Sequence, residues 1–319
     1  MTKETRLLKA LDYFFVLRPM LFYPGWSTLL AGYLIVYKSR WFLPPDAFHA
    51  LPYGQIALLL VLFAAAMGGS FLLNQLADVE SDLSNNKLFL ISEGHIPRKN
   101  AVIEATLLVL FSIVLASYFG QEVLLVVLIF ILLTGYFYNY PPFKWKDRPW
   151  MSLWANAGMG FLAFALGWLA SMGNLRPQLF RDAMPYLFFN VALYFFTTLP
   201  DVQGDAKAGK KTLAVLLGVK PIIWISFFLY LASAFSAFLL NDKLAMIMIF
   251  PAFPFFVLTI VKPHVSSTIL ATKFSILFFA VAICLKVPYY FALMLTGYFA
   301  TRWYFKKRFD FSYPNFKGD

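Results

Sequence analysis

The sequence predicts an all-α polytopic membrane protein of nine to ten spans, and three observations carry that expectation. Of 319 residues, 61% are hydrophobic and only 13% charged, where ordinary soluble domains are about 25% charged. The mean hydropathy is +0.69. The apolar residues also gather in long runs, and one span takes about 20 of them. Disorder is excluded, because it needs few aromatics and here they reach 19%. Ten spans absorb roughly 200 residues, so 1–319 reads as a single transmembrane domain with short loops.

The elements follow in order. Residues 1–19 read as an interfacial segment, since Leu7, Leu8, Leu11, Phe14 and Phe15 recur at helical spacing among charged residues. With no small-residue cleavage site, the segment does not read as a signal peptide. Apolar runs then place spans at 20–37, 53–76, 101–119, 122–140, 151–172, 183–200, 219–240, 243–262, 268–286 and 288–305. The last two are separated only around Lys286, Val287 and Pro288, where one continuous helix would overshoot a bilayer of about 30 Å. A tight hairpin at the proline is expected there. Residues 306–319 form a basic tail.

Charge gives the expected orientation. With the N-terminus inside, 21 of the 27 Lys and Arg residues fall on the cytoplasmic side, as the positive-inside bias requires. Both termini are inside if the count is ten; nine spans require one late segment to be re-entrant. The formal net charge of +11 would suggest a nucleic-acid partner on a soluble protein. Here it reflects a scarcity of acids, and no nucleic acid is expected. The single cysteine, Cys284, lies in an apolar run, which excludes a disulfide scaffold and a thiolate cluster. His49, His95 and His264 have no metal spacing, and no phosphate-binding loop, dinucleotide fingerprint or nucleophile elbow occurs.

Four of the sixteen acids form a matched pair of motifs. One is Asn74-Gln-Leu-Ala-Asp78-Val-Glu-Ser-Asp82; the other is Leu199-Pro-Asp201-Val-Gln-Gly-Asp205. Both contain L-x-D-V-x-x-D, follow apolar runs, and face the cytoplasm in the expected topology. The copies resemble a diverged internal duplication. On a helix Asn74, Asp78 and Asp82 share one face. Like charges four residues apart destabilise a helix, and carboxylates at the edge of an apolar medium are costly. A cation would neutralise them. Oxygen donors without His or Cys suit Mg²⁺, which is held through one or two carboxylates and the phosphate oxygens of a substrate.

Lys87 follows the first motif; Lys207, Lys210 and Lys211 follow the second. Ammonium groups beside such carboxylates suit a diphosphate. The alternative readings are solvated acids at helix ends and lysines placed by the positive-inside bias. Gly68 and Gly69 precede Asn74 and would allow close helix packing.

The N-x-x-x-D-x-x-x-D pattern, the D-x-x-x-D-x-x-x-G pattern ending at Gly209, and the Lys211-Thr212 pair resemble the UbiA superfamily of intramembrane prenyltransferases. Tyr138-Asn-Tyr-Pro141-Pro142 resembles that family's Y-x-x-P-P element, and Arg18-Pro19 its N-terminal R-P. The landmarks run in the family's order over about residues 15 to 220. The resemblance implies a helical bundle around a central cavity, in which Asp78, Asp82, Asp201 and Asp205 hold Mg²⁺ and Asn74 joins them on an isoprenyl diphosphate. It assigns Lys87, Lys144, Lys207 and Lys211 to phosphate contact, and Tyr138 to orienting the donor or shielding a developing cation.

The implied activity is Mg²⁺-dependent transfer of a polyprenyl group to a lipophilic, aromatic acceptor, as in prenylquinone biosynthesis, within the membrane lipid. Alternatives are the same donor chemistry on a glycerophospholipid or tetrapyrrole, internal terpene cyclisation, and an ion-coupled transporter. The acids lie at span ends rather than near the bilayer midplane, where transporter sites lie. This sequence departs from the family's common N-K-P-x-R-P-L-P-S-G: the stretch is Asn85-Asn86-Lys87-Leu88-Phe89-Leu90-Ile91-Ser92-Glu93-Gly94, with Phe89 in place of the arginine and no prolines. The first motif is more similar to the homogentisate prenyltransferase branch. A tenth span also exceeds the nine usual in the family.

Overall fold

A computed structural model describes residues 3–84, 89–207 and 211–314. The helices, in chain order, are α1 (Lys3–Phe15), α2 (Phe22–Tyr33), α3 (Pro45–Ala50), α4 (Tyr53–Ser84), α5 (Phe89–Ser92), α6 (Arg98–Tyr118), α7 (Gln121–Ile131) and α8 (Pro149–Met172). They continue as α9 (Gln178–Thr197), α10 (Val202–Lys207), α11 (Leu213–Leu217), α12 (Val219–Leu239), α13 (Lys243–Ile249), α14 (Phe253–Val261), α15 (Val265–Lys286) and α16 (Pro288–Phe309). Among the described residues, seven helical stretches, from Arg6–Tyr37 to Val265–Lys286, are long and apolar enough to cross a membrane. A shorter apolar stretch covers Gln121–Phe137. α9 and α16 are of spanning length but more polar, carrying Arg181 and Asp182 in one and Arg302 and Lys306 in the other. Each of the ten apolar runs is therefore helical. The chain is an integral multi-pass membrane protein.

Two compact units divide the chain: residues 1–23, 53–143 and 292–319 form one, and residues 24–52 and 144–291 the other. In the first unit, α4 packs antiparallel to α6. A Cβ added at Gly69 would come within 3.0 Å of Val109 Cγ2 and 3.4 Å of the Ala105 carbonyl oxygen, so this glycine sets the approach of the two helices. A Cβ at Gly68 would have Leu17 as its nearest neighbour, at an ordinary contact distance of 3.5 Å.

The unit's terminal segments are tied through Asp12, which is 1% exposed. Tyr304 donates to its Oδ1 at 2.6 Å, and Arg308 donates to both oxygens at 3.0 Å. Phe15 stacks on Tyr304 at 3.9 Å. The expected basic tail thus begins inside a helix, because Lys306, Lys307 and Arg308 form the last turn of α16.

In the second unit, α9 packs against α12 and α8. A Cβ on Gly32 or Gly167 would overlap backbone of the facing helix, at Phe164 and Leu29 respectively. α2 and α8 therefore cross in backbone contact. At the start of α9, Asp182 accepts from Lys38 Nζ at 2.6 Å and from Trp168 Nε1 at 3.2 Å. Asp242, 0% exposed, accepts from Tyr186 Oη and from the Ala245 amide, both at 3.0 Å. Lys286 Nζ donates to the Tyr37 carbonyl at 2.6 Å. A buried polar or charged group is tolerated when it is hydrogen-bonded; each of these three is, and Asp182 is also ion-paired with Lys38.

Candidate active site

The first acid motif lies in the first unit, and it is helical throughout. The apolar run of 53–76 does not end in a loop; α4 continues for 32 residues, through Asp78 and Asp82 to Ser84. Asp82 stands in the last turn, where the helix dipole disfavours negative charge. Both aspartates are half-buried, and each engages other groups.

Asn74 is fixed by a network that sequence reasoning missed. The segment Leu132–Phe137, which follows α7, is a π-helix. Such a wide turn leaves carbonyls without their α-helical partners, and Asn139, 1% exposed, takes two of them. Its Nδ2 donates to the Thr134 carbonyl at 2.7 Å and to the Gly135 carbonyl at 3.1 Å. Those bonds decide which way the Asn139 amide points. Its Oδ1 therefore accepts from Asn74 Nδ2 at 2.6 Å, and Asn74 Nδ2 also reaches Asp78 Oδ2 at 3.3 Å. Asn74 in turn presents Oδ1 as its acceptor atom.

Ser70 and Thr134 hydroxyls bond at 2.6 Å, and the Thr134 hydroxyl donates to the Phe130 carbonyl at 2.7 Å. Tyr140 donates to the Leu73 carbonyl at 3.0 Å. The signal for this network was present in the tyrosine–proline element, but the sequence reading favoured Tyr138 over its neighbour Asn139. Tyr138 itself is half-buried at the end of the π-segment. Arg18, held at φ 58° in the left-handed region, acts electrostatically on Asp82.

The second motif lies in the second unit and is built differently. Pro200 lacks an amide hydrogen and ends regular helix before it. Asp201 is exposed ahead of α10, whose first turn carries Asp205. The Asp205 amide donates to the Asp201 carbonyl at 2.8 Å, so these two carboxylates are also one helical turn apart. Lys211 is exposed, and Thr212 caps α11 by accepting from the Val215 amide at 3.3 Å. Lys144, with φ 41°, pairs with Asp147 at 2.8 Å. Lys87, Gly209 and Lys210 lie outside the described residues, as does the side chain of Lys207.

The donor chemistry fits Mg²⁺. Each motif offers carboxylate oxygens one turn apart, with an amide oxygen beside the first, and neither holds His or Cys. Among the described residues no cluster of three or more His, Cys, Asp or Glu side chains makes a ready metal cage. Mg²⁺ is usually held by one or two carboxylates plus substrate phosphates rather than by an all-protein cage, so the pair of carboxylates in each motif suits it.

The family model of the UbiA prenyltransferase family matches residues 25–269. The chain belongs to the UbiA prenyltransferase family. The matched region contains both acid motifs. The digeranylgeranylglyceryl phosphate synthase of Pyrococcus abyssi (strain GE5 / Orsay) is 29% identical over 181 residues, 56% of this chain and 62% of that protein. Probable homogentisate phytyltransferase 1 of Oryza sativa subsp. japonica is 30% identical over 163 residues, 48% of this chain and 40% of that protein.

The chain thus spans between 40% and 62% of the length of these two relatives. Among solved structures, a digeranylgeranylglyceryl phosphate synthase aligns with a TM-score of 0.65 at 16% identity, covering 87% of this chain and 96% of that one. A UbiA homologue from Archaeoglobus fulgidus bound to DMAPP and Mg²⁺ aligns with a TM-score of 0.55 at 20% identity, covering 85% and 99%. These two likenesses establish the UbiA fold.

Proposed function

We propose that the protein transfers a polyprenyl group from an isoprenyl diphosphate to a lipophilic, aromatic acceptor in the membrane. The observation that carries this reading is the family match across residues 25–269, which includes two acid pairs of Mg²⁺ chemistry. In this reading Asp78, Asp82, Asp201 and Asp205 hold the metal and diphosphate, and Asn74 presents its Oδ1 to them. Lys87, Lys144, Lys207 and Lys211 contact phosphate, with Lys144 exchanging its Asp147 partner for the substrate. Tyr138 orients the donor.

The bond between the allylic carbon and the diphosphate oxygen breaks with its electron pair leaving on the diphosphate. The acceptor supplies the electron pair of the new bond to that carbon and loses a proton. Bound Mg²⁺ supplies charge neutralisation on the leaving group. Aromatic faces stabilise positive charge on the allylic carbon. The acid motifs and both termini face the cytoplasm, by the distribution of Lys and Arg.

A second reading changes the acceptor to a glycerophosphate lipid. It is favoured by the match to a digeranylgeranylglyceryl phosphate synthase. The test is diphosphate release by purified protein with allylic diphosphates of several lengths, with Mg²⁺ or EDTA, and with aromatic or glycerophosphate acceptors. Release that needs Mg²⁺ and an aromatic acceptor supports the first reading. Release only with the glycerophosphate supports the second, and no Mg²⁺-dependent release with any donor overturns both.

A further inference from the structure

Outside the acid motifs, the first unit carries an open groove of about 600 Å³ lined by Tyr13 of α1 and by Asn100, Ile103, Glu104, Leu107 and Phe111 of α6. Those α6 positions recur every three or four residues and so form one stripe. α6 is one of the seven stretches apolar enough to span a membrane, and Ile103, Leu107 and Phe111 are exposed along it. The stripe therefore faces hydrocarbon. Glu104 lies six residues into the helix, about 9 Å along its axis at 1.5 Å per residue.

Glu104 is an anomaly on that surface. Its Oε2 is buried and has no hydrogen-bond partner among the described residues. A carboxyl group at membrane depth is costly, and it marks a functional site when no structural partner explains it. Its neighbours are polar but uncharged: Asn100 Nδ2 donates to the Tyr13 hydroxyl at 2.7 Å. Among the described residues no Lys or Arg lines the groove, so a lipid phosphate meets no counter-charge from them. The volume lies within the range of about 300–1,000 Å³ typical of small-molecule sites.

We propose that this groove binds an uncharged lipophile bearing a single hydroxyl or phenol. Its O–H donates to Glu104 Oε2 beside the Tyr13–Asn100 pair, and its tail lies along Leu107 and Phe111. The site is separate from the acid motifs and stands whether or not the proposed transferase reading holds. Its occupant has the chemical class of a long-chain alcohol or an alkylated phenol.

The test uses full-length protein in phosphatidylcholine nanodiscs and a photoactivatable long-chain alcohol, with crosslinks mapped by peptide. Saturable labelling of 98–118 is expected. The unlabelled parent alcohol should compete, and its methyl ether, which has no proton to donate, should not. Glu104→Leu, which suits a membrane-facing position, should weaken binding about tenfold, as the loss of a hydrogen bond does. Glu104→Gln keeps a carbonyl acceptor and should retain most of it. An unchanged thermal unfolding midpoint in both variants shows that the fold is intact. Equal competition by the methyl ether, undiminished labelling of Glu104→Leu, or labelling that phosphatidylcholine itself displaces would reduce the groove to ordinary lipid-facing surface and overturn the proposal.

Discussion

The two acid motifs share the string L-x-D-V-x-x-D but stand on different supports. The first rides the final turns of a 32-residue helix, whose dipole opposes its charge. The second starts a six-residue helix after a break, at the end the dipole favours. One residue accounts for much of the difference: Ala77 lets α4 continue, while Pro200 at the equivalent position stops the chain and restarts it. Both arrangements still leave a pair of carboxylates one turn apart. What the copies conserve physically is that spacing. The acids that stabilise the fold are different ones: Asp12, Asp182 and Asp242 are at most 6% exposed and hydrogen-bonded to Tyr304, Lys38 and Tyr186 respectively.

The largest effect should separate these two classes of acid. Asp78→Ala and Asp201→Ala should each lower diphosphate release on the order of 10²–10³-fold, the scale of losing a positioned electrostatic contact, with unchanged thermal unfolding. Equal losses would show that the two supports serve one reaction. Asp182→Ala should do the reverse. It strands Lys38, whose side chain is 23% exposed, and should cost about 3 kcal/mol of stability, the low end for a broken buried pair. Full stability in denaturant titration would mean that the pair contributes nothing.

Asp242 gives the comparison a pH axis. Burial pushes its carboxyl up to about 6 from 3.8, so the folded state holds the proton more tightly than the unfolded one. Its contribution is present below pH 3.8 and is lost as pH rises through about 6, a span of up to about 3 kcal/mol. Melting in detergent across pH 4–7 should show that decline, and Asp242→Asn should flatten it.

Asn139→Ala removes the group that orients Asn74. It should raise the Mg²⁺ requirement and lower release by roughly 10–100-fold, as the loss of a ligand's supporting hydrogen bond does. An unchanged Mg²⁺ titration would remove Asn139 from the site. Gly204→Ala should be mildest. Gly204 lies inside α10, and a Cβ there meets nothing within 4 Å. The change should stabilise α10 by roughly 0.5–1 kcal/mol, visible as slower hydrogen exchange over 202–207.

Much of this was legible in the sequence. Apolar runs located the helices because a span must satisfy its backbone internally, and the paired aspartates stood out because charge is so scarce. The anchoring acids were not legible. Asp12 and its partner Tyr304 are 292 residues apart, and no local period announces such a pairing. The π-segment was also invisible, since Leu132–Phe137 reads as ordinary apolar helix. The break in the second motif was not read from the sequence either, although the missing amide hydrogen of Pro200 accounts for it.

The π-segment also bears on tolerance to insertion and deletion. A π-turn holds one residue more than the α-turn it replaces. Deleting a single residue within 132–137 would close the wide turn into an α-turn, so that the residues after it keep their facing but the carbonyls that hold Asn139 return to backbone partners. Its carboxamide would lose the bonds that aim it at Asn74, although every side chain named in the first motif would remain in the chain. A substitution scan of this stretch would find tolerant apolar positions; a deletion scan would find a narrow interval that the site cannot lose.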